Sequence, residues 1–239
     1  MPQAPSRPAN PGLDAAAARQ FQLTKPLGSL GALEQVVLDL ASIQNAERPM
    51  ARPAAAVIFA ADHPVVRHGV AIYPASVTAG MVVNFARGGA AAAVAADWVH
   101  GLPLQVHDVG VDTAYDIPPN GSSAEVFRHR FNGLAAGDLR VEDAMSPELF
   151  EAAVEAGRLA VVNLEPRPKV LILGEMGIGN AMPASAVSAA LLGRPAEEFV
   201  GLGAGVDGEG LRRRQQVIDD ALARLGSTED PLELSLIHI

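Results

Sequence analysis

The sequence predicts an α/β protein in three layers, a parallel β-sheet with helices on both faces, together with a small helical portion at its amino end. Three observations lead there. Short continuous apolar runs, such as AAAVIFA at Ala54–Ala60, lack the alternation of a half-exposed strand and suit strands buried on both faces. Ala-rich segments of helical length separate these runs, as crossover helices do. Glycines and single acids collect where the runs end, and ligands of open parallel sheets sit at those carboxyl ends. The layout is Rossmann-like.

The elements follow in order. Residues 1–14, MPQAPSRPANPGLD, contain no apolar stretch and read as a disordered tail rather than a signal peptide. Ala15–Gln44 reads as helical, with Leu30, Leu33, Val37, Leu40 and Ala41 on one face and Ser29 placed to cap the start. Residues 15–50 make the small helical portion, in which TKPLGSLG (Thr24–Gly31) is a rigid turn carrying one cation. A large nucleotide-binding domain spans 51–233. Its strands are expected in Ala54–Ala60, LPLQVHDVGV (Leu102–Val111), PKVLILGEMG (Pro168–Gly177) and EEFVGLGAGVD (Glu197–Asp207). Helices are expected near Ala75–Val99, Pro147–Asn163, Pro183–Leu192 and Gly208–Leu225, with Ser146-Pro147 supplying a cap and a first-turn proline. The stretch Asp112–Asp143 is irregular: DIPPNGSS is turn, and AEVFRHRFNG stays open between a short strand and a strand-like loop. Residues 234–239 form a terminal tail.

Composition narrows the function. Hydrophobic residues make up 49% and charged ones 19%, so a sizeable core is expected rather than disorder. With one Trp, two Tyr and seven Phe, core volume must come from Ala, Val and Leu. A net charge of −9 argues against nucleic-acid or anionic-membrane surfaces, which need basic patches. The absence of cysteine removes disulfides, iron–sulfur clusters and thiolate zinc sites. No uninterrupted apolar stretch is expected to approach a membrane span, and a cytoplasmic location follows as an expectation.

Gly174–Asn180, GEMGIGN, follows the apolar run Val170–Leu173 and precedes an Ala-rich helix. Glycines let backbone N–H groups approach an anion, and the helix start favours negative charge by about 0.3–1 kcal/mol. A second glycine loop, Gly203–Asp207, lies at the next expected strand end. Neither loop is the dinucleotide fingerprint, whose G-x-G-x-x-G follows the first strand. Glu175 would repel a pyrophosphate but suits a ribose, whose hydroxyls donate. A ribose phosphate therefore satisfies both halves of the loop. Gly177→Val is expected to abolish nucleotide binding with little effect on melting temperature. Asp62-His63 with His68 lacks the spacing of a metal site and reads as polar residues satisfied at a strand end; His107-Asp108 reads as structural. Arg212, Arg213 and Arg214 form a cation run, part of which can face the cleft.

Taken together, KPLGSLGALE, FAADHPVVRHGVAIYPASVTAGMVVNFARGGAA, VHDVGVD, GEMGIGN and GAGVDGEGLRRRQQVI resemble, in order, the nicotinate-nucleotide–dimethylbenzimidazole phosphoribosyltransferase family. The match runs from Phe21 to Glu233 and corresponds to about the first two-thirds of the family's members. It implies a pentosyltransferase that moves phosphoribose from nicotinate mononucleotide to 5,6-dimethylbenzimidazole, releasing nicotinate and giving α-ribazole 5′-phosphate for cobalamin. It implies a homodimer, small-molecule substrates, no cofactor and no metal. By motif, Glu175, Gly177, Gly179 and Asn180 match the ribose-phosphate loop, and Gly203 and Gly205 the second glycine loop. Arg214 stands where a phosphate-binding lysine is usual, and Tyr73, Met81 and Met176 match the pocket of the aromatic base. Departures are Ala181-Met182 for two threonines, Ala204 and Gly208 for a threonine and an acid, the widened Asp62–Val70 stretch, and Gly80 for a glutamine. The family's glutamate base belongs to a GGxEIA-type region that nothing here matches, so the expected form is a truncated one, inactive or nearly so alone. The alternative is a catalytically inactive ribonucleotide-binding α/β module.

Overall fold

The computed structural model describes residues 10–99, 101–117, 124–129, 131, 133–203 and 205–225. The tail at 234–239 lies outside them. The chain divides into two compact units, Met1–Pro53 and Ala54–Ile239.

In the first unit, helix α1 (Pro11–Gln20) pairs with α2 (Ala32–Gln44). Asn10 makes the pairing specific. Its Oδ1 accepts the Leu13 N–H at 3.0 Å as an N-cap, while its Nδ2 donates to the Ser42 carbonyl at 2.8 Å. Gly12 lies so close to the Asn45–Ala46 backbone that a side chain has no room. The expected tail is therefore helix from Pro11 onward, since Asn10 and Pro11 supply a cap and a preset first turn. The expected single helix is two, because Phe21–Gly31 is spent in turns, and Gly31 rather than Ser29 occupies the N-cap of α2. Lys25 pairs with Glu34 at 2.8 Å. Within this unit only Ala41 of the expected apolar face is fully buried; Leu33 is 64% exposed.

The second unit is built on a four-stranded sheet of β1 (Ala54–Ala61), β2 (Leu104–Gly110), β3 (Glu125–Arg128) and β4 (Val170–Met176). The order is β3-β2-β1-β4 and every pairing is parallel. Helices α3 (Val77–Ala86) and α4 (Ala91–Trp98) cover the face bearing Ile58, Ala60 and Val106, burying Ala79, Val82, Phe85, Ala93 and Ala96. The opposite face, with Val57 and Phe59, packs on Ala160 of α5 (Pro147–Val162) and on Leu164. Helices α6 (Ala181–Leu192) and α7 (Gly208–Leu225) form a further cluster with Val65 and Val70. Alanines fill most helix–sheet contacts, as the scarcity of aromatics requires.

Ser146 caps α5 by accepting the Leu149 N–H at 3.2 Å, and Pro147 begins it, as expected. Three expectations change. EEFVGLGAGVD is not a strand: Ala196–Glu198 is a 3-10 turn, and Gly203 and Gly205 take φ of +53° and +92°, which extended backbone excludes. The helix near Ala75–Val99 breaks at Arg87–Ala90, where Gly88 has φ +78°. Val77–Trp98 has a mean hydropathy of 1.2, enough in length and composition to cross a membrane, but its two helices pack on the sheet. Finally, β4 is an edge strand among the described residues, and its Leu173 is 63% exposed. A continuous apolar run marks a strand without telling centre from edge.

Candidate functional site

The carboxyl ends of β1, β2 and β4 converge on the segment Ala61–Ile72. Asp62 and His63 end β1 and are buried, and Pro64–His68 makes a 3-10 turn closed by Gly69. Asp108 ends β2, fully buried, with Oδ1 accepting the Val111 N–H at 2.8 Å and Oδ2 accepting the Tyr115 hydroxyl at 2.5 Å. That is the structural role expected of it. The ring of His107 stacks on Phe127 with centroids 4.7 Å apart and bonds His129 across 2.9 Å. Burial, then the neighbouring His129, pull its pKa down to about 4. His68 donates from Nε2 to Asp138 at 2.6 Å, with Arg140 against its other nitrogen at 3.2 Å. It is thus a satisfied structural histidine. Among the described residues no group of three or more His, Asp or Glu is gathered as a metal site.

At the end of β4 the chain turns through Gly177–Asn180 into α6. Gly177 is buried against the Ala61 carbonyl and the His63 ring, and Gly179, at φ +93°, against Val66. Glu175 is exposed and accepts a hydrogen bond from the Asn180 amide. The Asn180 side chain makes no capping bond; the Met182 N–H turns back to the Gly179 carbonyl at 2.9 Å, and Pro183 carries no N–H. The acid inside the loop thus fixes the asparagine at the helix start.

The second glycine loop packs on the far end of the same segment. Gly205 touches Ile72, and Gly203 lies directly against the Arg214 guanidinium. Arg214 is 4% exposed, donating from Nε to the Val70 carbonyl at 2.6 Å and from Nη1 to the Gly201 carbonyl at 2.8 Å. Burial lowers its pKa from the usual guanidinium value. Its charge clamps two loops together. Arg213, by contrast, lines a cleft of about 330 Å³ with Gly69, Ile72, Gly205, Asp207 and Glu209. Its Nη1 donates to the Gly69 carbonyl at 3.1 Å and its Nη2 pairs with Glu209 at 3.0 Å.

Tyr73 is about half exposed beside Ile72, while Met81 and Met176 both pack against the α3–α4 cluster. The structure therefore brings Glu175 to Asn180, sets Gly177 and Gly179 on one end of Ala61–Ile72 and Gly203 and Gly205 on the other, and places the two methionines on one cluster. Tyr73 is not a member of that cluster. Sequence reasoning missed the cleft-lining role of Arg213, the buried Thr78 and the shared segment itself. The widened Asp62–Val70 stretch, read as a departure, was the available signal for the last.

Comparison with known proteins gives a consistent set. A family model described as phosphoribosyltransferase matches residues 6–236. The nicotinate-nucleotide–dimethylbenzimidazole phosphoribosyltransferase of Bradyrhizobium sp. (strain ORS 278) is 45% identical over 216 residues, which is 90% of this chain and 59% of that protein. The enzyme of that name from Pseudomonas putida is 41% identical over 94% of this chain and 63% of its own length. The crystal structure of CobT from Thermus thermophilus superposes with a TM-score of 0.80 at 41% identity, covering 94% of this chain and 66% of that one. The chain thus spans about three-fifths of the length of the curated relatives it matches.

Proposed function

This chain belongs to the nicotinate-nucleotide–dimethylbenzimidazole phosphoribosyltransferase family, and from that premise we propose that it serves phosphoribosyl transfer from nicotinate mononucleotide to 5,6-dimethylbenzimidazole. The products are nicotinate and α-ribazole 5′-phosphate. The observation that carries the reading is the common floor: both glycine loops pack on Ala61–Ile72, at the carboxyl end of a parallel sheet. One ribose phosphate can touch both.

In this reading the phosphate meets the Gly177–Asn180 turn at the start of α6, whose Ile178 and Asn180 N–H groups already serve Thr78 Oγ1 and the Gly177 carbonyl. Glu175 and Asn180 meet the ribose hydroxyls, the carboxylate accepting and the amide able to do both. Gly203 and Gly205 form the second wall, both at positive φ, and a side chain at Gly203 would collide with the Arg214 guanidinium behind it. Tyr73, Met81 and Met176 supply apolar surface for the aromatic base. Arg214 supports the site by holding the Val70 and Gly201 carbonyls, and Arg213 is the cation that borders the cleft. A homodimer in the cytoplasm, acting on small molecules without a metal or cofactor, belongs to the same reading and rests on the family likeness.

The test is calorimetric titration with nicotinate mononucleotide and with the corresponding riboside, followed by chromatography for nicotinate release when dimethylbenzimidazole is added. The mononucleotide is expected to bind at least about tenfold more tightly, the equivalent of about one phosphate contact. Equal affinities, or no binding, would overturn the assignment of these loops to a ribose phosphate.

A further inference from the structure

We propose that His68 is a positioning residue, held by Asp138 and Arg140 in one proton arrangement that fixes the Ala61–Ile72 floor against α7 beside the cleft. The inference rests on the proposed role of that floor in nucleotide binding.

Donor chemistry locates the proton. Arg140 Nη1 lies 3.2 Å from His68 Nδ1, and a guanidinium only donates, so Nδ1 is the acceptor and carries no proton. Nε2 then holds the ring proton and gives it to Asp138 Oδ2 at 2.6 Å. Asp138 is fully buried and takes two further donors, Arg67 Nε on the same oxygen at 2.6 Å and the Arg140 N–H on Oδ1 at 3.1 Å. Burial alone would raise its pKa, but the bonds from His68 and Arg67 hold it below the usual carboxylate range, so it stays an acceptor.

These bonds close a ring of three segments. His68 ties the floor to the turn Asp138–Glu142, whose own ends are joined by the Asp138 N–H on Glu142 Oε1 at 3.1 Å. From that turn Arg140 Nε reaches Asp220 Oδ2 on α7 at 2.8 Å, and Arg224 of α7 returns to the Glu142 carbonyl at 2.8 Å. Helix α7 in turn holds the floor, through Arg213 on the Gly69 carbonyl and Arg214 on the Val70 carbonyl. Gly69, the neighbour of His68, lines the cleft with Arg213. The link at position 68 needs one donor and one acceptor on the same side chain, which a neutral imidazole supplies and an apolar residue does not.

Three readouts test the assignment. Proton–nitrogen NMR spectra of the unliganded chain at about pH 8 are expected to show the His68 ring protonated at Nε2 alone; a proton on Nδ1 would overturn the arrangement. The second readout is amide hydrogen exchange of Gly69, whose N–H bonds the Val66 carbonyl at 2.9 Å, with Val57 of β1 as the reference for global opening. His68→Leu removes both ring bonds, and Asp220→Ala frees Arg140 at a partly exposed site. Each is expected to speed Gly69 exchange about tenfold with Val57 unchanged, while His68→Gln, which keeps a donor and an acceptor, stays within about twofold of wild type. Acceleration of Gly69 and Val57 together, or of neither, would overturn the positioning role, and Asp220→Ala decides alone should His68→Leu not fold. The third is titration with nicotinate mononucleotide, where His68→Leu and Asp220→Ala are expected to weaken binding about three- to tenfold and His68→Gln to recover it. Unchanged affinity in the first two would sever the ring from the site. Should the wild-type chain fail to bind the mononucleotide, the functional reading falls, while the spectra and the exchange still decide whether His68 holds the floor.

Discussion

Replacing Gly177 by alanine tests the packing of the turn directly. A Cβ built there lies 2.1 Å from the Ala61 carbonyl oxygen and 2.9 Å from His63 Nε2, whereas ordinary van der Waals contact begins near 3.4 Å. The carbonyl belongs to the last residue of a buried strand, so the clash must be relieved by moving the turn, by about 1 Å or more, away from β1. Overpacking of that kind costs about 1–3 kcal/mol. For a chain of 239 residues this lowers the melting temperature by roughly 2–12 °C, at about 2–4 °C per kcal/mol. Differential scanning calorimetry on Gly177→Ala reads it, with Gly157→Ala, where a Cβ meets nothing within 4 Å, as the control. The structure thereby corrects the expectation that a bulkier residue at 177 would spare stability. An unchanged melting temperature in Gly177→Ala, or a loss no greater than in the control, would refute the close approach of the two backbones.

Other substitutions probe other parts of the account. Arg214→Ala orphans the Val70 and Gly201 carbonyls and should cost about 2–4 kcal/mol by chemical denaturation, with Arg214→Lys recovering part of it. An effect on nicotinate mononucleotide affinity with no loss of stability would instead make Arg214 a direct phosphate ligand. His107 titrates at about 4 in the fold against 6.5 ordinarily, so folding favours the neutral ring. That contribution is complete above pH 6.5 and lost as pH falls through 4, up to about 3 kcal/mol, and His107→Phe should flatten the stability profile in that window. Gly80→Ala, in a helix with open space around it, should raise stability by about 0.5–1 kcal/mol, read as a higher denaturation midpoint.

Strand β1 was legible because a strand buried on both faces leaves an unbroken apolar run, and β4 because the run Val170–Leu173 ends in the glycines of GEMGIGN. Ser146-Pro147 announced α5 through local capping chemistry alone. What remained hidden depends on residues distant in sequence. Gly177 is constrained by Ala61, more than a hundred positions earlier, and Arg214 by the Val70 and Gly201 carbonyls. Neither partner is visible in a local window. The run Glu197–Asp207 has strand-like side chains, but positive φ at Gly203 and Gly205 bends it into a loop. The edge position of β4 follows from pairing, which periodicity does not encode. Asp62 was expected to be satisfied at a strand end, yet it is buried with its Oδ1 lacking a hydrogen-bond partner among the described residues, which no local pattern announces.

Hydrogen–deuterium exchange with and without nicotinate mononucleotide tests the central claim, that both glycine loops on the Ala61–Ile72 floor grip one ribose phosphate. Saturating ligand is expected to slow exchange in peptides covering 174–185 and 201–215 together, leaving α5 unchanged. Protection of only one loop, or of neither while another surface is protected, would contradict it.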